Sequence, residues 1–181
     1  TEPTTRWLPK GSTQNARTME HYRRLGMARQ IRALGLLPDY PTDVGYFTRL
    51  AGWELARIAM PSEAEKQRRL AASPEAGPTP EPLLRCNQMY VERFLLEHVA
   101  RLTTVTLRYG WTCTDWTEEK DHVAVEIETA EGGREIWRGA FVVGCDGARS
   151  IVRRKLGIHY DGETLSQAYL GGPMVNTHLR A

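Results

Sequence analysis

Cysteine is scarce in this chain: Cys86, Cys113 and Cys145 are three in 181 residues, odd in number and widely spaced. That excludes a disulfide framework and leaves no C-x-x-C pair for a metal or redox couple, so reduced thiols are expected. Histidine offers no ligand set either. Positions 21, 98, 122, 159 and 178 give neither H-x-x-x-H nor H-E-x-x-H spacing, and no metal site is expected. Long apolar runs are missing too: none approaches the ~18 residues of a membrane span, and no charged start leading into an apolar stretch marks a signal peptide. The expectation is a cytoplasmic protein with no membrane partner. Charge of one sign is also in short supply. A net charge of +2 and a pI near 8.5 supply no concentrated basic face, which argues against nucleic acid as a partner. The basic residues from Arg17 to Arg32 are interrupted by Glu20, and no recognition helix follows Gly35, so a helix-turn-helix is set aside as well.

What is present is the make-up of a soluble globular protein: 41% apolar, 8% aromatic and 25% charged residues, with enough chain for a real core. Residues 1–15 hold two prolines and several threonines without a period and read as an extended lead-in. Asn15 then caps a helix whose Met19, Tyr22 and Leu25 share one face; Gly26 interrupts it, and a second short stretch from Ala28 to Leu34 ends at Gly35. Alternation predicts strands around Tyr46–Leu50 and Trp53–Met60, with Leu55, Ile58 and Met60 buried. Residues 61–82 read as an exposed, aperiodic excursion. A helix is predicted from Gln88 to Leu102, capped by Asn87, with Val91, Leu95, Val99 and Leu102 on one face and His98 on its flank. Val105 and Leu107 suggest a strand, and residues 111–138 read as a three-stranded antiparallel meander. Met19, Trp53, Tyr90 and Trp111 read as core residues.

The next segment carries chemistry. Ala140–Val143 is apolar at successive positions, as in a strand covered on both faces of a parallel sheet, and it runs into Gly144-Cys145-Asp146-Gly147-Ala148-Arg149-Ser150 and then a helix. A turn of this kind at the carboxyl end of a sheet is where α/β proteins bind nucleotides. Glycines let a ligand approach the backbone, and a helix start offers unpaired N–H groups to a phosphate. Asp146 would suit a ribose hydroxyl, and Arg149 and Arg153, one turn apart, would clamp a pyrophosphate. On spacing alone a second reading stands level with this: an ordinary Asp-Gly turn followed by a solvated basic helix face.

Three ordered segments tip the balance. Asn15-Ala16-Arg17-Thr18-Met19-Glu20 with its continuation to Gly26, Arg85-x-x-Gln88-x-x-x-Glu92, and Gly144-Cys145-Asp146-Gly147-Ala148-Arg149-Ser150-x-x-Arg153 resemble the FAD-dependent aromatic hydroxylases of the para-hydroxybenzoate hydroxylase and phenol hydroxylase type. The resemblance covers nearly the whole chain. It implies an α/β (α+β mixture) fold: a partial Rossmann-like FAD-binding domain over residues 1–160, including the meander, and the start of a substrate-domain sheet over 161–181. It also implies FAD and NADH or NADPH as cofactors, an aromatic substrate and O2, and ring hydroxylation through a flavin hydroperoxide. The cofactor-binding residues it implies are Glu2, Lys10, Arg17, Gln88, Asp146, Gly147, Arg149 and Arg153. Glu2 would bind the adenosine ribose, and Lys10 would stand where relatives have an arginine near FAD. Gln88 would lie by the flavin ribityl and pyrophosphate, Asp146 by the FAD ribose or pyrophosphate, and the two arginines by the NAD(P)H phosphates. No catalytic acid or base is expected, because the cofactor does the difficult chemistry.

Two family signatures are absent: G-x-G-x-x-G, and the later Gly-Asp motif for which Gly171-Gly172-Pro173 is no substitute. The expectation is therefore an internal piece of such an enzyme, inactive by itself and weak in FAD binding, with apolar strand edges that favour homo-oligomers or exchanged elements. The competing expectation is a non-catalytic nucleotide-binding or assembly module that keeps the fold.

Overall fold

A computed structural model describes residue 5 and residues 10–49, 51–73 and 79–162. Glu2 and nearly all of the segment 161–181 lie outside the described residues. The chain divides into two units, Thr1–Gly110 and Trp111–Ala181.

In the first unit, Asn15 caps α1 (Ala16–Arg24) by accepting the Thr18 N–H at 2.8 Å, and α2 (Ala28–Arg32) follows. Their apolar faces meet the two-residue ladder of β1 (Thr13–Gln14) and β4 (Leu84–Arg85) and the first turns of α4 (Gln88–Val99). Met19, Met27, Ala28, Ile31, Leu84, Cys86 and Val91 form this core, with Tyr22, Leu34, Phe94 and Leu95 packed on it. His98 is exposed and stacks on Phe94, as a residue on the helix flank does.

Several expectations change. Leu25 lies beyond α1 and is exposed, and α4 stops at Val99, leaving Leu102 outside it. The two strands expected near 46–60 form an antiparallel hairpin, β2 (Val44–Phe47) and β3 (Glu54–Ile58), with a register shift at Tyr46/Phe47. Leu55, Ile58 and Trp53, expected inside, are exposed, because a two-stranded ribbon has no second layer to cover it. Tyr90 is exposed as well. The supposed aperiodic excursion contains α3 (Glu63–Ala72), started by a capping box in which Ser62 Oγ accepts Glu65 N–H and Glu65 Oε2 accepts Ser62 N–H. Arg32 ties this region to α2, donating to Glu63 Oε1 at 2.5 Å and to Glu81 Oε2 and the Pro82 carbonyl at 2.7 Å each. Val105 and Leu107 belong to no strand.

The second unit holds the expected meander: β5 (Thr112–Glu118), β6 (Val123–Glu128) and β7 (Arg134–Gly139), antiparallel in that order. Trp116, Val125 and Trp137 are aligned across it, and Trp111 packs edge-on against Trp137. The run Ala140–Val143 departs from expectation. It begins in a bend at Ala140 and joins no ladder among the described residues, and Phe141 and Val143 are 89% and 81% exposed. A strand needs a partner backbone, and every described ladder is antiparallel and lies elsewhere. After it come a 3-10 turn (Gly147–Arg149) and the short helix α5 (Ile151–Lys155).

Candidate functional site

The expected site residues fall into two groups, one in each unit. In the first unit the β1–β4 ladder sets the entrance to α4. Its pairing continues through Cys86 N–H to the Ser12 carbonyl at 3.0 Å and Gln88 N–H to the Gly11 carbonyl at 2.8 Å. This brings Gln88 against the Lys10-Gly11 backbone, with the Lys10 side chain exposed beside it. The Gln88 side chain donates through Nε2 to Glu92 Oε1 at 2.5 Å, and Arg85 donates to Thr13 Oγ1 at 2.7 Å. A cavity of about 440 Å³ adjoins this ladder, lined among others by Ser12, Thr42, Asp43, Arg85, Asn87 and Tyr90. Arg17 stands apart from this cluster, exposed on α1 and paired with Glu20 at 2.8 Å.

In the second unit Asp146, Gly147, Arg149 and Arg153 share one turn. Asp146 Oδ2 accepts the Ile151 N–H at 2.7 Å, so its carboxylate caps the start of α5. The Ser150 hydroxyl first, then the Ile151 and Val152 N–H groups, hold the Asp146 carboxyl below the usual carboxylate range despite an opposing desolvation cost. Ser150 Oγ in turn accepts the Arg153 N–H at 2.9 Å. The Arg153 guanidinium donates to the Ala148 carbonyl at 2.9 Å and lies 4.2 Å over the Tyr160 ring, while its Nε is buried with no partner among the described residues. Arg153 therefore braces the turn. The Arg149 side chain is exposed and makes no hydrogen bond or ion pair among the described residues. Gly147 sits at φ +72° with open space where a Cβ would project, and a Cβ on Gly144 would lie 2.7 Å from Val152 Cβ. The backbone can thus be approached from outside at Gly147 and is pressed against α5 at Gly144.

Three contacts escaped the sequence reading. Lys155 reaches Asp115 Oδ1 at 2.5 Å and the Trp116 carbonyl oxygen, fastening α5 to β5 and depressing the Asp115 carboxyl. Burial first, then the Asp146 and Asp115 charges, push the Cys113 thiol up. Tyr160 stacking on Arg153 carried no sequence signal. Glu92 did carry one, the four-residue spacing from Gln88 on a helix.

The arrangement of an open glycine, a capping aspartate and an exposed arginine is chemically suited to an anionic, hydroxylated ligand. Residues 2–178 match the family described as FAD binding domain. The chain belongs to the FAD-binding domain family. Its fold and relatives are those of FAD-dependent aromatic hydroxylases and monooxygenases. The FAD-dependent monooxygenase opdD of Penicillium oxalicum is 36% identical over 149 residues, 81% of this chain and 28% of that protein. The 3-(3-hydroxy-phenyl)propionate/3-hydroxycinnamic acid hydroxylase of Escherichia coli K12 is 32% identical over 92 residues, 51% of this chain and 17% of that protein. Among solved structures, the flavin-dependent monooxygenase PieE, in complex with FAD and substrate, superposes with a TM-score of 0.76 at 28% identity, covering 90% of this chain and 28% of that one. The FAD-binding domain chain thus spans about a quarter of the length of the relatives it matches. No helix among the described residues is long and apolar enough to cross a membrane.

Proposed function

We propose that the protein is an FAD-dependent monooxygenase that hydroxylates a phenolic or other aromatic substrate with NADH or NADPH and O2, these residues forming part of its FAD-binding domain. The family match over residues 2–178 carries the reading, and the local chemistry is compatible with it. Gly147 leaves its backbone open to a ligand, and Gln88 offers an uncharged polar side chain beside the Lys10-Gly11 backbone. Bound FAD would supply the redox and oxygen-activating chemistry. Gln88, Lys10 and the Asp146-Gly147 turn would hold FAD, and Arg17 is carried with them by its motif. Arg149 would meet the phosphates of the reduced nicotinamide, since its guanidinium is uncommitted among the described residues, whereas Arg153 would keep the turn in shape.

The test is flavin titration of the 181-residue chain and of the full-length protein as encoded, followed by NAD(P)H oxidation with a panel of phenols. Flavin-dependent NAD(P)H oxidation that a phenol accelerates, with one oxygen atom from O2 in the product, supports the reading. Bound flavin without phenol-stimulated oxidation would leave a non-catalytic nucleotide-binding module instead.

A further inference from the structure

In the first unit, α3 and residues 79–83 line a cavity of about 750 Å³, within the range of small-molecule pockets. Its walls are saturated: Ala16, Pro61, Leu70, Ala72, Pro82 and Leu83 contribute to them, and no aromatic side chain does among the described residues. Such walls favour a flexible alkyl chain, since a flat ring gains most from stacking partners that are absent here. Two cations share the lining, Lys66 and Arg69, one turn apart on α3.

Lys66 is buried without being satisfied. Its side chain is only 9% exposed, yet of its three N–H donors one alone makes a hydrogen bond among the described residues, to the Leu83 carbonyl at 3.0 Å. Glu63 Oε2 stands 3.6 Å away, close enough for an ion pair and too far for a hydrogen bond, and Glu63 is shared with Arg32 at 2.5 Å. A buried ammonium with unspent donors is costly unless something accepts from them. The Arg69 guanidinium is exposed and makes no hydrogen bond or ion pair among the described residues, while Glu65, one turn back, accepts the Ser62 N–H at 2.7 Å through its own carboxylate. The pair therefore offers positive charge and free donors at one wall of an apolar space. The Glu63 charge beside Lys66 limits the excess, so a singly charged head group is better matched than a dianion.

We propose that the cavity beside α3 is a binding site for an aliphatic carboxylate, with its alkyl chain along Leu70, Pro82 and Leu83 and its head group between Lys66 and Arg69. None of the residues proposed to hold FAD or the reduced nicotinamide lines this cavity, so the proposal does not rest on the flavin reading.

The experiment is isothermal titration calorimetry of the full-length protein with octanoate, which is expected to saturate with a dissociation constant of about 1 mM or tighter. Octanol and octylamine keep the chain and change the head group, and each is expected to bind roughly tenfold more weakly, the scale of a hydrogen bond to a charged partner. Butyrate keeps the head group and shortens the chain, and should bind more than about tenfold more weakly. Benzoate should bind more weakly than octanoate. Arg69→Glu, at an exposed position, should weaken octanoate about three- to tenfold and leave octanol unchanged. Leu70→Gln should weaken octanoate and octanol alike, and Lys66→Met should abolish the preference for octanoate over octanol. If Lys66→Met does not fold, the other two variants decide, with thermal unfolding as the check on their integrity. Absence of saturable octanoate binding overturns the proposal, as does octanoate bound no better than octanol or octylamine, or benzoate bound better than octanoate. Octanoate affinity unchanged in both Arg69→Glu and Leu70→Gln places the ligand elsewhere and overturns it too. Each of these results leaves the monooxygenase reading standing.

Discussion

Gly144 and Gly147 lie three positions apart in one turn, yet adding a methyl group should hurt them for different reasons. At Gly147 the space is open and the cost is the positive φ alone, roughly 1–2 kcal/mol for an L-residue. At Gly144 the backbone is unremarkable and the cost is collision with the stiff Val152 side chain, about 1–3 kcal/mol for overpacking. Denaturant unfolding of Gly144→Ala and Gly147→Ala should show both losses. Adding Val152→Ala should rescue Gly144→Ala only in part, since the closest contact is Val152 Cβ itself; full rescue would sink the collision account. Acid should act on the same unit. Asp115, held down first by Lys155, and Asp146, held down first by the Ser150 hydroxyl, have depressed carboxyl pKa values in the folded chain. A depressed folded value gives stability that is whole above the unfolded carboxyl value, about 3.9 for Asp, and is lost as pH falls through the folded value. Melting temperature should therefore drop below about pH 4, and Asp115→Asn with Asp146→Asn should flatten that drop. An unchanged acid limb in the double variant would exclude these two carboxylates as its source. Much of this was legible in the letters, because Gly-x-Asp-Gly and Ser150 are local signals. The carboxylate expected at a ribose hydroxyl also has a task that the letters did not show: its Oδ2 accepts the Ile151 N–H at the helix start, the nearest free donor.

Among the elements, α1, α4 and the meander were readable because each couples a strong period to one covered face. Helix α3 was not. Its Glu-Ala-Glu-Lys-Gln-Arg-Arg-Leu-Ala-Ala run has almost no apolar stripe, and its signal lay in the Ser62-x-x-Glu65 box and in a string of good helix formers. What anchors it is tertiary: Arg32, only 13% exposed, joined to Glu63 and Glu81, each 14% exposed. Ser62→Ala should cost about 0.5–2 kcal/mol through the lost cap. Arg32→Leu should cost more, about 3 kcal/mol, because it takes the nearest cation from two largely buried carboxylates and, among the described residues, leaves Glu63 only Gln67 and Lys66 at 3.6 Å and Glu81 only Arg23 at 3.8 Å. Limited proteolysis reads the outcome: cleavage within residues 61–82 should quicken far more in Arg32→Leu than in Ser62→Ala. Equal rates would mean that the cap and not the ion pairs holds the segment.

At the scale of the molecule, the run at 140–143 has the apolar composition of a covered strand but pairs with no backbone among the described residues. Consecutive apolar residues report that a segment favours cover, but they do not name the backbone that will pair with it. Phe141 and Val143 stand exposed among the described residues, as does Trp53, which is 84% exposed on the other unit. The 181-residue chain is therefore expected to associate with itself as its concentration rises, in a way that sedimentation velocity resolves and that Phe141→Ser with Val143→Thr reduces. A strictly monomeric wild-type chain at millimolar concentration would count against it. The Asp146 turn has the opposite character. Its bonds run from Asp146 to Ile151, Ser150 to Arg153, Arg153 to Ala148 and Ile158 to Arg153, all between near neighbours in sequence. Contacts of such short range close quickly and wait for nothing distant. As the nascent polypeptide leaves the ribosome, the bend that would greet a dinucleotide can take shape before later-synthesised stretches have emerged to fold against it.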